Sequence, residues 1–377
     1  MKIKNINSFI NNNLTDNIEN FLNSLQVENE KFQYYPCNNY PTLEGAKLRL
    51  GFSCYAIKIK HTINRWESIP EEQKDDWATY INSFQKTIKH FPTNSYIDDQ
   101  YLKNYRKTSM NDFIKDNSKK AINVFQKKNI YETKSERLFS YIRAESKQSM
   151  ATLNEISSTN FLPYQDFPKE KTDINLFLNS FNWQKPWSAG AQFAGLCFFT
   201  STQIKNNLNQ KSYLQEFIKS KLNSNDGFYY DGITPNISEL VNGTMKVLTG
   251  LDWLDIPIHC PEKIIDNCLK NTPSQVGCDL VDYVYVLYRC SLEIKYKRKE
   301  VIDYLVNFYE LIFQHYYEDS GGFSYGVHES QKLYYGVQIS KGGNEADIHG
   351  TLLLTWALSM IFNITENNAY DWKVIRP

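Results

Sequence analysis

The sequence predicts an all-α protein, an (α/α)6 toroid in which six helical hairpins set an inner ring of helices inside an outer one. Three observations lead to that fold class. Turn signals carrying an aromatic residue recur along the chain, and helices of two compositions alternate between them. The more apolar kind is rich in Gly and Ala, which lets helix backbones approach closely around an axis.

The turns read "SFQK" around Phe84, "SFNWQ" around Phe181, "NDGFYYDG" around Phe228 and "DSGGFSYG" around Phe323. Their intervals fit multiples of roughly 48 residues, and a period of about 20 to 50 residues marks a repeat architecture. Two weaker members are expected near residues 133 and 276. Six hairpins at that period take up most of the 377 residues, and no Pro/Ser/Gly linker divides them, so one domain over 1–377 is expected.

The first helix population is amphipathic. Leu214, Phe217, Ile218 and Leu222 form one stripe at helical spacing, and Trp77, Tyr80, Ile81 and Phe84 form another. Segments 112–128, 261–272 and 299–317 are similar, with Pro261 suited to a first helical turn. The second population is apolar or small on nearly every side, and such helices must be surrounded by protein. These inner helices are expected near 45–64, 137–155, 187–203, 237–252, 277–292 and 345–362. An α-solenoid would stack the same hairpins in a line. The Gly/Ala content and the absence of tetratricopeptide or ankyrin signatures favour the closed ring.

Composition narrows the function classes. At 41% hydrophobic and 15% aromatic, the chain has material for a large core and lacks the character of a disordered protein. Forty-two basic and 42 acidic residues cancel, which argues against a nucleic-acid groove or an anionic membrane as the main partner. The first thirty residues hold no continuous apolar stretch, and no later run reaches membrane-spanning length, so neither a signal peptide nor a span is expected. Seven cysteines without CxxC spacing read as reduced thiols of a cytoplasmic protein.

With glycine–aromatic turns leading into apolar helices, the chain resembles the terpenoid cyclase/protein prenyltransferase α-α toroid superfamily. The matching stretches are "DSGGFSYG" before "EADIHGTLLLTWAL", "NDGFYYDG" before "ELVNGTMKVLTGL", and "SFQKTIKHFPTNSYIDD", spread over about residues 45–362. The resemblance implies a central cavity and, by analogy with prenyltransferase β subunits, a zinc site made by Cys278, Asp279 and His349. Family members space the Asp and Cys two apart with Asp first, whereas Cys278 and Asp279 are adjacent and reversed. Class II terpene cyclases carry an Asp-x-Asp-Asp acid, and the nearest string, "SYIDDQ", has Tyr96 where the first Asp belongs. Apart from that zinc, no cofactor is called for.

Chemistry-bearing residues gather toward the starts of the apolar helices. In a toroid those ends meet at one mouth, where helix N-termini favour anionic groups such as phosphate or uronate. The stretch "SKGGNEADIHG" supplies Lys341, Glu345, Asp347 and His349. Its glycines do not match a phosphate-binding P-loop and suit a sharp turn into the last helix. Asp279 and Asp282, i and i+3, share a helix face, while Asp347 and His349 point about 200° apart. Asp279 suits an N-cap as well as an acid, and Glu345 suits a first-turn dipole role as well as catalysis. Asp282 sits a turn inside an apolar helix, where a carboxyl is paired or is held protonated for general acid work.

The catalytic candidates are therefore Asp282, Asp347, His349, Glu345, Asp279, Arg143 and Glu145, the last two deeper along their helix. Candidates for substrate contact are Trp187, Gln192, Phe228, Tyr230, Asn242, Tyr325, Tyr335 and Lys341. The expected partner is a small molecule or oligosaccharide, with an anionic one favoured. The resemblance implies an enzyme acting on an isoprenoid or lipid-like substrate by acid/base chemistry in a central cavity. The alternatives are a carbohydrate-active lyase, hydrolase or epimerase of surface-polysaccharide metabolism, and a non-catalytic binding scaffold. A dry cavity lined by Phe, Tyr and Trp would mark the first, and aromatic platforms with carboxylates in an open cleft would mark the second.

Overall fold

Apolar periodicity and composition set where the helices form. A computed structural model describes residues 13–106, 110–126, 133–367 and 369–377. Among them the chain forms fourteen α-helices and two small antiparallel hairpins. In chain order these are α1 (Leu14–Ser24), α2 (Leu50–Thr62), α3 (Glu71–Asn82), β1 (Gln85–Lys86), β2 (Ser95–Tyr96), α4 (Asp99–Arg106), α5 (Met110–Gln126), α6 (Lys134–Glu155) and α7 (Lys171–Asn179). There follow α8 (Pro186–Gln203), α9 (Leu208–Lys221), α10 (Ile237–Trp253), α11 (Pro261–Leu269), α12 (Gly277–Glu293), α13 (Arg298–Phe313), β3 (Leu333–Tyr334), β4 (Val337–Gln338) and α14 (Ile348–Ile364). No helix among the described residues is long and apolar enough to cross a membrane.

The elements group into two compact units. One comprises the described part of Met1–Ser83 with Ala151–Thr159 and Pro261–Pro377; the other comprises Phe84–Met150 and Asn160–Cys260. In the first unit α14 packs on α2, α12 and α13, and α12 also packs on α11 and α13. α14 is buried on almost every side, with only Asn363 exposed. The amphipathic helices turn their stripes inward: Leu14, Ile18, Phe21 and Leu22 on α1, Trp77 and Ile81 on α3. Burying a side chain of this size is worth about 1.5–3 kcal/mol.

In the second unit α8 and α10 form the closest helix pair. A Cβ on Gly190 would come 2.9 Å from the Gly243 carbonyl oxygen, and one on Gly243 would come 2.6 Å from Pro186 Cβ. Small residues are what permit that approach, as their content in the apolar helices suggests. α9 presents Leu214, Phe217 and Ile218 to the core of this unit.

All six segments read as apolar helices are helical, with shifted ends. The stretch near 45 begins with a 3-10 turn, Gly45–Lys47, and α2 starts only at Leu50. α6 starts ahead of 137 because Thr133 caps it: the Thr133 N–H and Oγ–H both donate to Glu136 Oε2, at 2.8 and 2.7 Å. α14 starts at Ile348, three residues after the expected Glu345. Helix 261–272 ends at Leu269 and 299–317 at Phe313, while residues 127–128 of the segment 112–128 lie outside the described residues. α1, α4 and α7 were not singled out from sequence.

The turn expected around Phe323 is held by a fully buried histidine. His315 Nδ1–H donates to the Ser324 carbonyl at 2.9 Å, and burial lowers the pKa of the imidazole from its usual 6.5. As pH falls below about 6.5 the unfolded chain takes up a proton that the folded chain resists, so stability falls with it. His61 and His259 are lowered by burial in the same way. The raised carboxyl of Asp347 acts in the opposite sense, so the test is the difference between two proteins: from pH 7 to 5.5, denaturant unfolding of His315→Asn should show less loss, or more gain, of stability than the parent protein. An identical change in both proteins would remove His315 from the account.

Candidate functional site

The start of α14 organises the first unit. Asp347 is the N-cap, with extended backbone, and its Oδ1 accepts the Gly350 N–H at 2.8 Å. Its Oδ2 accepts the N–H groups of Tyr325 at 2.7 Å and Gln331 at 3.1 Å. Burial raises this carboxyl to about 7, against the pull of the backbone N–H groups of Gly350, Tyr325, Gln331 and His349. Gly350 is required here, because any Cβ would run into the backbone of Ser324 and Tyr325. Glu345 makes a second tie, accepting the Asn39 N–H at 2.8 Å and the Tyr40 N–H at 3.0 Å. The Cys37 thiol is pushed up, first by burial and then by the charge of Glu345. Both carboxylates are thus committed to backbone N–H groups and support the surrounding loops.

His349 follows one residue into the helix and faces a different environment. Its ring stacks between Tyr55 of α2, at 4.9 Å and 10°, and Tyr325, at 5.4 Å and 19°. Tyr55 meets Tyr334 edge-on at 6.3 Å, and Tyr334 meets Tyr335 edge-on at 5.0 Å. The rings form a ladder from Tyr325, half-buried, to Tyr335, which is 43% exposed. Tyr335 and Gly336 both have positive φ, 45° and 87°, in the two-residue turn joining β3 to β4. Tyr334 and Tyr335 therefore owe their places to a tight hairpin.

At the other end of the ladder Tyr325 O–H donates to Cys278 Sγ at 3.2 Å. Burial raises the Tyr325 pKa, and the neighbouring Cys278, Asp282 and Asp279 raise it further. Asp282 is buried, 2% exposed, one turn into α12. Asp279, in the first turn, accepts the Ser274 hydroxyl. Among the described residues no three His, Cys, Asp or Glu side chains come together to hold a metal. Cys278, Asp279 and His349 are not among any such group; Cys278 Sγ accepts the Tyr325 hydroxyl, and the faces of His349 are covered by Tyr55 and Tyr325. Lys341 is exposed, and its N–H donates to the Tyr40 carbonyl at 3.0 Å.

The remaining candidates lie in the second unit. Arg143 Nε donates to Gln192 Oε1 at 2.8 Å, joining α6 to α8. Glu145 and Asn242 are buried on α6 and α10. Trp187, in the first turn of α8, donates its N–H to Glu239 Oε1 at 3.0 Å and leaves its ring 38% exposed. Phe228 and Tyr230 close their own turn: the Phe228 N–H and the Tyr230 hydroxyl both donate to the Asp226 carboxylate, at 2.9 and 2.8 Å. Of these residues, Arg143 lines a pocket, together with Phe139, Phe177, Phe181 and Lys185, which were not predicted. The motif "SFNWQKP" carries Phe181 and Lys185, and only its turn character was readable. Tyr55, a lone tyrosine in an apolar helix, gave no signal either.

No protein-family model matches this chain, and no curated protein or solved structure matches it.

The Asp347 network makes a stability prediction. In Asp347→Asn an amide N–H must face a backbone N–H, and leaving a buried donor without an acceptor costs about 1–3 kcal/mol each. Urea unfolding should show a loss of about 3 kcal/mol, and a midpoint equal to that of the parent protein would contradict the role assigned here.

Proposed function

We propose that the protein is a carbohydrate-active enzyme that performs acid–base chemistry on a saccharide at the Tyr325–His349 cluster. The observation that carries this reading is the ring ladder: each of Tyr325, His349, Tyr55, Tyr334 and Tyr335 bears a hydroxyl or ring nitrogen, and Asp282 and Asp279 lie beside its end. The exposed Tyr335 offers a face to a sugar ring, and polar atoms along the ladder suit hydroxyl groups. A hydrocarbon tail would leave those groups and the carboxylates without a use. The isoprenoid reading draws its support from the glycine–aromatic turns alone.

Within this proposal Tyr325 is the proton donor: its hydroxyl, like any tyrosine's, carries its proton at neutral pH, and it sits beside Asp282 and Asp279. His349 exchanges the second proton, and Asp282 sets the field around Tyr325. Tyr335, the exposed end of the ladder, is the stacking platform. We further propose the (α/α)6 toroid as the complete architecture. Its support is the alternation along the chain of α2, α8, α10, α12 and α14, buried on most sides, with helices such as α3, α9 and α13. A cytoplasmic location is proposed on the cysteine pattern; no disulfide forms among the seven.

The test is turnover of the full-length chain on a panel of neutral and acidic oligosaccharides, with products read by mass spectrometry. Tyr325→Phe keeps the ring and removes the proton, and should lower kcat by a factor on the order of 100 at nearly unchanged Tm. Asp282→Asn should do the same if its carboxyl acts in the reaction, whereas a purely structural buried carboxylate would lose roughly 3 kcal/mol of stability instead. Full activity in both variants, or turnover of prenyl substrates alone, would sink the proposal.

A further inference from the structure

The second unit holds a pocket of about 460 Å3, within the range of about 300–1,000 Å3 usual for small-molecule sites. Arg143 of α6 forms one wall and is held in place from several sides. Its Nε donates to Gln192 Oε1 at 2.8 Å and a terminal nitrogen donates to Ser140 Oγ at 3.3 Å. The guanidinium carbon lies 5.4 Å from the Phe177 ring centre and 6.0 Å from that of Phe181. Those two rings meet edge to face at 5.1 Å. A guanidinium fixed this way keeps its charge and loses little orientational freedom when it binds a planar anion.

The charge of the wall is equally specific. Arg143 and Lys185 are its cations, and Glu136 is the one carboxylate among the lining residues, so two positive charges against one negative leave one in excess. Glu136 Oε2 is already engaged by the N–H and hydroxyl of Thr133 at the cap of α6. Two cations, flat aromatic faces and a single net positive charge match a planar monoanion joined to a ring.

We propose that this pocket binds a small ring carboxylate, its carboxylate on Arg143 and Lys185 and its ring against Phe181 and Phe139. The proposal is independent of the reaction assigned to Tyr325, because it rests on different residues and on binding alone. The ring is either saturated and hydroxylated or aromatic, and the two sources are separable by probe. D-glucuronate and benzoate are titrated into the full-length protein by calorimetry, with glucose and benzamide as their uncharged counterparts. At least one carboxylate should bind and its counterpart should not, and the one that binds identifies the ring. Arg143→Met, which keeps the apolar stem over the phenylalanines, should weaken binding about tenfold or more, equivalent to about 1.4 kcal/mol. Lys185→Ala, at an exposed position, should weaken it severalfold without affecting the melting temperature, which keeps the test valid if the Arg143 variant folds poorly. Absence of binding by both carboxylates at about 10 mM, equal binding of an uncharged counterpart, or undiminished binding in Lys185→Ala would overturn the proposal.

Discussion

A carboxylate buried at the start of α14 ties together the helix and the loop on either side of the Tyr325–His349 stack. Asp347 accepts N–H groups from its own helix and from two points of the preceding loop, Tyr325 and Gln331. Burying a carboxylate without partners would cost several kcal/mol, and these hydrogen bonds offset part of that cost, burial still raising its pKa to about 7. The consequence is positional. The connection between α13 and α14 contains only a two-residue hairpin as regular structure, and Asp347 pins its backbone to the helix at the residue whose side chain stacks on His349. Glu345 repeats the device on the segment at Asn39 and Tyr40, and the Asp347 backbone bridges Cys37.

Rigid support matters because ring stacking and proton exchange both depend on placement to a fraction of an ångström. Tyr325 is positioned by its backbone through Asp347 and by its hydroxyl through Cys278, so both ends of the side chain are set by contacts distant in sequence. His349 then has little room between Tyr325 and Tyr55. The Tyr325 pKa is raised because the hydroxyl is buried and faces Cys278 and two acidic residues. The same low-dielectric surroundings that raise the Tyr325 pKa strengthen each polar contact it makes.

The two clusters differ in chemical character. The ladder of the first unit has hydroxyl-bearing rings and carboxylates, with the means to donate and accept protons. The pocket of the second unit has phenylalanine faces and cations, with the means to hold an anion and little to transform it. Arg143 keeps its charge at any physiological pH, and this suits it to recognition.

Helix positions were legible in the sequence, because side-chain periodicity and composition are local properties of the chain: α8, α10 and α12 begin within a residue of their expected starts. Most candidate site residues were also legible as residue types, Tyr325, His349, Cys278, Asp282, Arg143 and Gln192 among them. Their assignments were not. In the sequence Asp347 reads as a catalytic carboxylate and Glu345 as either that or a first-turn charge; their hydrogen bonds to the backbone N–H groups of residues 39, 40, 325 and 331 are not readable there. As the N-cap, Asp347 places the start of α14 at Ile348. Tyr55 and His349 are nearly three hundred positions apart (on the order of the whole chain), and no local pattern marks one as the stacking partner of the other. The sequence by itself determined which segments become helices and which side chains are available for chemistry. Only the tertiary structure decided which carboxylate is a support, which ring faces the imidazole and where the arginine is held, because those outcomes depend on which distant backbone and side-chain groups are brought within hydrogen-bonding and stacking range.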